Sequence, residues 1–161
     1  MTALLLFGGS AFAAPKVYQK PSDFVRSSLG QIPATKAITP TGAQQARIRA
    51  ILGRNYYTKA IRYWSVGGRT VYILEEVGKT EFITTGYVVR GNKIESVKVL
   101  VYRETHGYEV ARTSFTRQFS GVSLKSDSRL TRNPSNIAGA TLSVRALTKL
   151  ARLALYLETL K

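Results

Sequence analysis

Apolar residues recur at two different spacings along this chain, and each change of spacing marks an element. Over 41–52, Ile48, Ile51 and Leu52 share one stripe at helical spacing, with Pro40 and Thr41 opening the segment and Gly53 closing it. From residue 57 to about residue 104 the pattern becomes that of β-structure. Strands rich in Val, Ile, Tyr and Thr are predicted over 60–65, 70–77, 82–90 and 93–103. Gly67 and Gly68 join the first pair, and Gly91 and Asn92 supply a tight hairpin turn for the last. In the fourth strand Val97, Val99 and Val101 alternate with polar neighbours such as Lys98, which predicts one covered face and one open face.

A short amphipathic piece follows over 113–119, then a loop rich in Ser, Asn and Arg over 121–135. The strongest periodic segment is the last, 142–160. There Ala146, Leu147, Leu150, Ala151, Ala154 and Leu157 make a continuous apolar face opposite Arg145, Lys149 and Arg152. These elements predict an α+β fold: a single domain over 41–161, with a mostly antiparallel sheet, packed helices and a C-terminal amphipathic helix. Residues 14–40, rich in Pro, Ser and Thr, are expected to form an extended N-terminal arm with one helical turn. Residues 1–13 are expected to be a signal peptide remnant. They carry no charge, and an apolar run ends in Ala11, Phe12 and Ala13, a small-x-small cleavage pattern. Export to the periplasm or beyond is the corresponding expectation, with an apolar N-terminal strand as the alternative.

Composition narrows the chemistry. The chain has 161 residues, with 24 Lys+Arg, 9 Asp+Glu, one His and no Cys, for a formal net charge of +15. Without cysteine there is no disulfide framework, thiolate zinc site or iron–sulfur cluster, and a lone histidine does not make a multi-His metal site. Hydrolytic catalysis fits poorly, because any His-based triad must use His106 and no Gly-x-Ser-x-Gly elbow occurs. Glu75 and Glu76 are adjacent on a strand, so their carboxylates point to opposite faces and do not share a site. Neither a nucleotide-hydrolase phosphate loop nor a dinucleotide fingerprint is present.

The most informative segment is the start of the last helix, Asn136 to Ser143. Small residues at Ala138, Gly139 and Ala140 let the backbone approach a ligand. The free N–H groups and partial positive charge of a first helical turn suit an anionic phosphate, and Thr141 would place a hydroxyl beside it. Read locally, Gly139 and Thr141 also serve as a plain turn and N-cap.

In wider context, Gly139-Ala140-Thr141 ahead of a long amphipathic helix resembles the flavin-attachment motif of the bacterial FMN-binding domain family. That family includes the flavin-carrying subunits of sodium-translocating quinone reductases and related electron-transport complexes, along with many small exported proteins. Glu104-Thr105-His106-Gly107 resembles the family's Glu-Thr-Pro-Gly segment after a strand, and Phe115 to Gly121 is similar to its Phe-x-x-Gln-Phe-x-Gly element. The three pieces keep the family's order and spacing over about 78–160. The resemblance implies FMN as cofactor and Thr141 as the point where a separate flavin transferase would esterify its phosphate. It further implies that Gly139 and Ala140 make room for that phosphate, that Glu104, Thr105 and Gly107 lie near the isoalloxazine ring, and that Gln118 and Phe119 support the segment. Electron carriage between membrane or soluble redox partners follows, rather than catalysis on a substrate of its own.

Three positions depart from the family pattern. Ser135 stands where the motif carries Asp, Ala138 where it carries Ser or Thr, and His106 where it carries Pro. An imidazole beside a flavin would favour the anionic reduced form; the alternative for His106 is an exposed loop residue with no such role.

The competing reading starts from charge. Both halves of the chain are basic, and Tyr56, Tyr57, Tyr63, Trp64 and Tyr72 sit near Arg54, Lys59, Arg62 and Arg69. That pattern describes a polyanion-binding module, for nucleic acid or an anionic surface, without a redox cofactor. It describes equally well β-strands with an aromatic core face and a solvated basic face, so nucleic acid is not the expected partner.

Overall fold

The computed structural model describes residues 14–161; the expected leader lies outside them. The central hairpins form as the apolar alternation dictates. Strands β3 (Ile61–Val66), β4 (Arg69–Val77), β5 (Phe82–Arg90) and β6 (Lys93–Tyr102) pair in sequence order, each antiparallel to the next. Two short strands complete the sheet at its edges. β1 (Lys16–Val17) pairs with β6, and β2 (Lys36–Ile38) pairs with β3, giving the order β1-β6-β5-β4-β3-β2. Between them α1 (Pro21–Leu29) crosses the sheet from one edge to the other. The segment expected as an extended arm therefore supplies both edge strands and a nine-residue helix. Its strands are two and three residues long, too short for an alternation signal, and Phe24 and Val25 are the anchor of its helix.

Helices cover both faces. On one, α2 (Gly42–Leu52) and α4 (Thr141–Glu158) close the larger core, where Ile51, Leu52, Leu74, Ile83, Leu147 and Leu150 are buried. On the other, α1 buries Phe24 and Val25 against Val71, Val88 and Leu100. The expected alternation of β6 breaks at Leu100. Val99 pairs with Thr85 and Val101 with Thr84, so Leu100 is the extra residue of a β-bulge. The bulge leaves Val97 and Val99 in the larger core, sends Val101 to the α1 side, and turns Tyr102 back beneath α4. Both faces of this strand are thus covered at that end, where the sequence pattern predicted one.

α2 opens as predicted. Thr41 is its N-cap in a reciprocal capping box with Gln44, and Gly53 closes it in the left-handed conformation (φ +80°). α4 has no such cap. Three buried tyrosines fasten it to the sheet instead. Tyr102 from β6 bonds Ser143, Tyr87 from β5 donates to the Leu147 carbonyl at 2.7 Å, and Tyr72 from β4 donates to Glu158 at 2.8 Å. Between β6 and α4 lie a 3-10 turn (Tyr108–Ala111), the short helix α3 (Thr113–Thr116), a second 3-10 turn (Arg117–Phe119) and the polar loop. No helix among the described residues is long and apolar enough to cross a membrane.

Candidate functional site

Two backbone segments face each other at the end of the sheet where β6 stops and α4 starts. They enclose a cleft of about 400 Å³, lined by Lys79, Glu104, Thr105 and His106 on one side and by Gly139 to Ser143 on the other. That volume lies within the range of small-molecule sites. A larger hollow of about 500 Å³ opens beside Tyr56, Tyr57 and Ile48. It is lined by Tyr56, Tyr57 and Lys59 of the competing basic-aromatic reading, whereas the residues of the flavin resemblance gather at the smaller cleft.

The α4 wall begins with Gly139, left-handed at φ +81° and with open space where a Cβ would stand. Ala140 follows as a buried N-cap with no side chain to bond the first turn, and Thr141 is the first helical residue. The N-cap role open to Thr141 on local sequence is therefore not the one it takes. With an alanine cap, the first-turn N–H groups of an 18-residue helix are left to an acceptor from outside, at the positive end of its dipole. The Thr141 hydroxyl is held in place, because Asn136 Nδ2 donates to its Oγ1 at 3.1 Å. Ala138 is exposed beside the cleft without lining it.

The opposite wall is built by Glu104. Its Oε1 accepts from the backbone N–H groups of Lys79, Thr80 (2.7 Å) and Glu81 (3.0 Å), and Thr80 Oγ1 donates to Oε2 at 3.1 Å. Partial burial works to raise this carboxyl, but the three backbone donors outweigh it and hold it below the usual carboxylate range. Glu104 thus fastens the turn between β4 and β5, and through it brings Lys79 to the cleft. Gly78 leaves the necessary room, since a Cβ there would stand 2.9 Å from Glu104 Oε1. Thr105 and His106 are exposed on this wall, while Gly107 lies buried behind it at φ +89°.

Gln118 sits away from the cleft. Its Oε1 accepts from the Ser135 N–H at 2.9 Å, and it lines a separate hollow with Arg112 and Asn136. It braces the segment that leads into α4, and Phe119 is buried in the core beneath. Sequence reasoning missed Lys79 and Tyr102 as parts of this site and gave Asn136 and Ser143 no individual role. Asn136 and Ser143 lie inside the segment that drew attention, whereas Lys79 and Tyr102 are brought in by the sheet register. Among the described residues no group of three His, Cys, Asp or Glu is placed to hold a metal. Of the aromatic residues named in the competing reading, Tyr72 is fully buried, Tyr56, Tyr63 and Trp64 are half-buried, and Tyr57 is exposed; Tyr56 packs on Tyr57 (ring centroids 4.6 Å apart) and Tyr63 on Tyr72 (6.0 Å).

An uncapped helix start, a tethered hydroxyl and a lysine on the facing turn thus share one cleft, and these are groups whose chemistry suits an anion. Residues 78–156 match the model of the FMN-binding domain, and these residues take in both walls of the cleft. The match supports an FMN-binding domain over these residues, with FMN as its cofactor. Comparison with curated proteins and with solved structures gives no match.

Proposed function

We propose that this is an exported electron-transfer protein that holds the phosphate of FMN at the start of α4 and carries it esterified to Thr141. The observation that carries the reading is the alanine-capped first turn of α4, whose open N–H groups stand beside a threonine hydroxyl inside the family-matched segment. Each wall has a distinct task. The first-turn N–H groups and Lys79 bind the phosphate, Gly139 lets it approach the backbone, and Asn136 orients Thr141 Oγ1. Glu104 spends its carboxylate on the 78–81 turn, so it positions Lys79 rather than the ring. Thr105 and His106 face the ring side of the cleft, where an imidazole favours negative charge on a neighbouring group. Bound there, FMN supplies reversible one- and two-electron chemistry, and the protein supplies attachment and electrostatic surroundings.

Export is supported by the uncharged apolar start ending in a small-x-small pattern. A tether suits that setting, since a dissociable cofactor is lost outside the cytoplasm. Maturation then needs a flavin transferase with a flavin dinucleotide as donor: Thr141 Oγ1 bonds the flavin-side phosphorus as the phosphoanhydride bond breaks, the nucleoside monophosphate leaves and the hydroxyl proton is released. The net charge of +15 favours acidic or membrane-bound redox partners. The test is co-expression with a flavin transferase. The wild-type chain is expected to run as a fluorescent band on a denaturing gel and Thr141→Ala as a dark one. A dark wild-type band refutes attachment, and a fluorescent Thr141→Ala band moves it to another residue.

A further inference from the structure

We propose that Tyr102 is a positioning residue that sets the distance between the two walls of the flavin cleft. The inference rests on the reading that the cleft holds FMN, and it concerns a side chain outside the cleft lining. Tyr102 is 2% exposed and lies under the cleft, turned there by the bulge at Leu100. Its hydroxyl donates to the carbonyl of His106, on one wall. Having given its single proton there, it accepts from Ser143 Oγ at 2.8 Å, on the other wall. Ser143 is itself 4% exposed and belongs to the open first turn of α4. One phenol oxygen therefore ties the 104–107 segment to the phosphate-binding helix start.

The fit around this oxygen is close. A Cβ on Gly107 would stand 2.7 Å from Tyr102 Oη, 3.0 Å from Ser143 Oγ and 3.4 Å from the Ala140 Cα. Only glycine lets the wall close onto the phenol, and at φ +89° glycine also suits the backbone. Burial raises the Tyr102 phenol, and the Ser143 hydrogen bond opposes that without reversing it, so the donor proton is retained at neutral pH. Removing the hydroxyl leaves the His106 carbonyl and Ser143 without their shared partner and frees the walls to move apart.

Tyr87 provides the control. It is equally buried and donates to the same helix at the Leu147 carbonyl, one turn further on, away from the cleft. Tyr102→Phe and Tyr87→Phe each remove one buried tyrosine hydrogen bond to α4, so both are expected to lower thermal stability. Equilibrium titration with FMN separates them. Tyr102→Phe is expected to weaken FMN binding about tenfold and shift the bound flavin's visible absorption bands, whereas Tyr87→Phe changes affinity less than about threefold. Ser143→Ala, which keeps the phenol and its His106 bond, is expected to weaken FMN about threefold to fivefold. Equal losses in the two tyrosine variants overturn the proposal, and so does an unchanged Ser143→Ala should Tyr102→Phe fail to fold. A wild-type protein that does not bind FMN refutes the cleft reading itself, a result distinct from either.

Discussion

Glu104 shows how a residue on the cleft wall can act on the chain itself. Three backbone N–H groups converge on one of its oxygens, and these bonds exist at full strength only while the carboxylate is ionised. Because the folded protein holds this group below its ordinary value, the stabilisation is complete above the unfolded carboxylate's pKa and is lost as pH falls through the lowered folded one. Glu104→Gln is accordingly expected to cost about 2 kcal/mol at pH 7. Its deficit relative to wild type should shrink as denaturant melts are repeated towards pH 3. A deficit constant with pH would show that the carboxylate charge is not what holds the turn. The role of Glu104 was not legible in the sequence, because its partners lie on a turn that only strand pairing brings near. Gly139, Ala140 and Thr141 stood out in the sequence because the small residues, the hydroxyl and the helix they precede are contiguous, and together they line one wall of the cleft. His106 stands on the cleft wall as the four-residue segment implied.

At the scale of elements, long amphipathic patterns were readable and short ones were not. α2, α4 and the four central strands follow directly from apolar spacing, with ends within one or two residues. α1 escaped because its burial depends on residues of β4, β5 and β6 that only strand pairing brings together. The Phe24 ring covers Gly86 of β5, where an added Cβ would meet ring carbons at 2.3, 2.6 and 2.8 Å. A missing side chain on the strand is thus what receives the helix, and its short apolar face, Phe24, Val25 and Leu29, is too small to announce that seat. Gly86→Ala is expected to lift Phe24 and release α1. Hydrogen–deuterium exchange should show lost protection over 21–29 with little change in α4, and a global stability loss of about 2 kcal/mol. Unchanged protection of α1 would mean that the ring finds another seat. The bulge at Leu100 belongs to this scale too. A strict alternation was predicted for β6, and one inserted residue reassigns Val101 and Tyr102 to opposite faces.

At the scale of the molecule, the sheet gathers the site from distant parts of the chain. β6 delivers Glu104 and Tyr102, the β4–β5 turn delivers Lys79, and α4 arrives from the C-terminal end with its first turn open. Three tyrosines on adjacent strands then fix that helix along its length, so the cleft wall formed by its first turn sits on a rigid element. The net charge of +15 favours anionic partners in general, but it does not select a ligand. In the function proposed above, selection belongs to the helix start, which separates phosphate recognition from general attraction to a flavin ring. The most direct measurement is a titration, at physiological salt, of protein produced without a flavin transferase, using FMN and riboflavin in parallel. The two ligands share the isoalloxazine ring and differ only in the phosphate. FMN should bind at least about 100-fold more tightly, because riboflavin gives the open N–H groups of α4 and Lys79 no anion to hold. Equal affinity for the two, or no binding of either, would contradict the account.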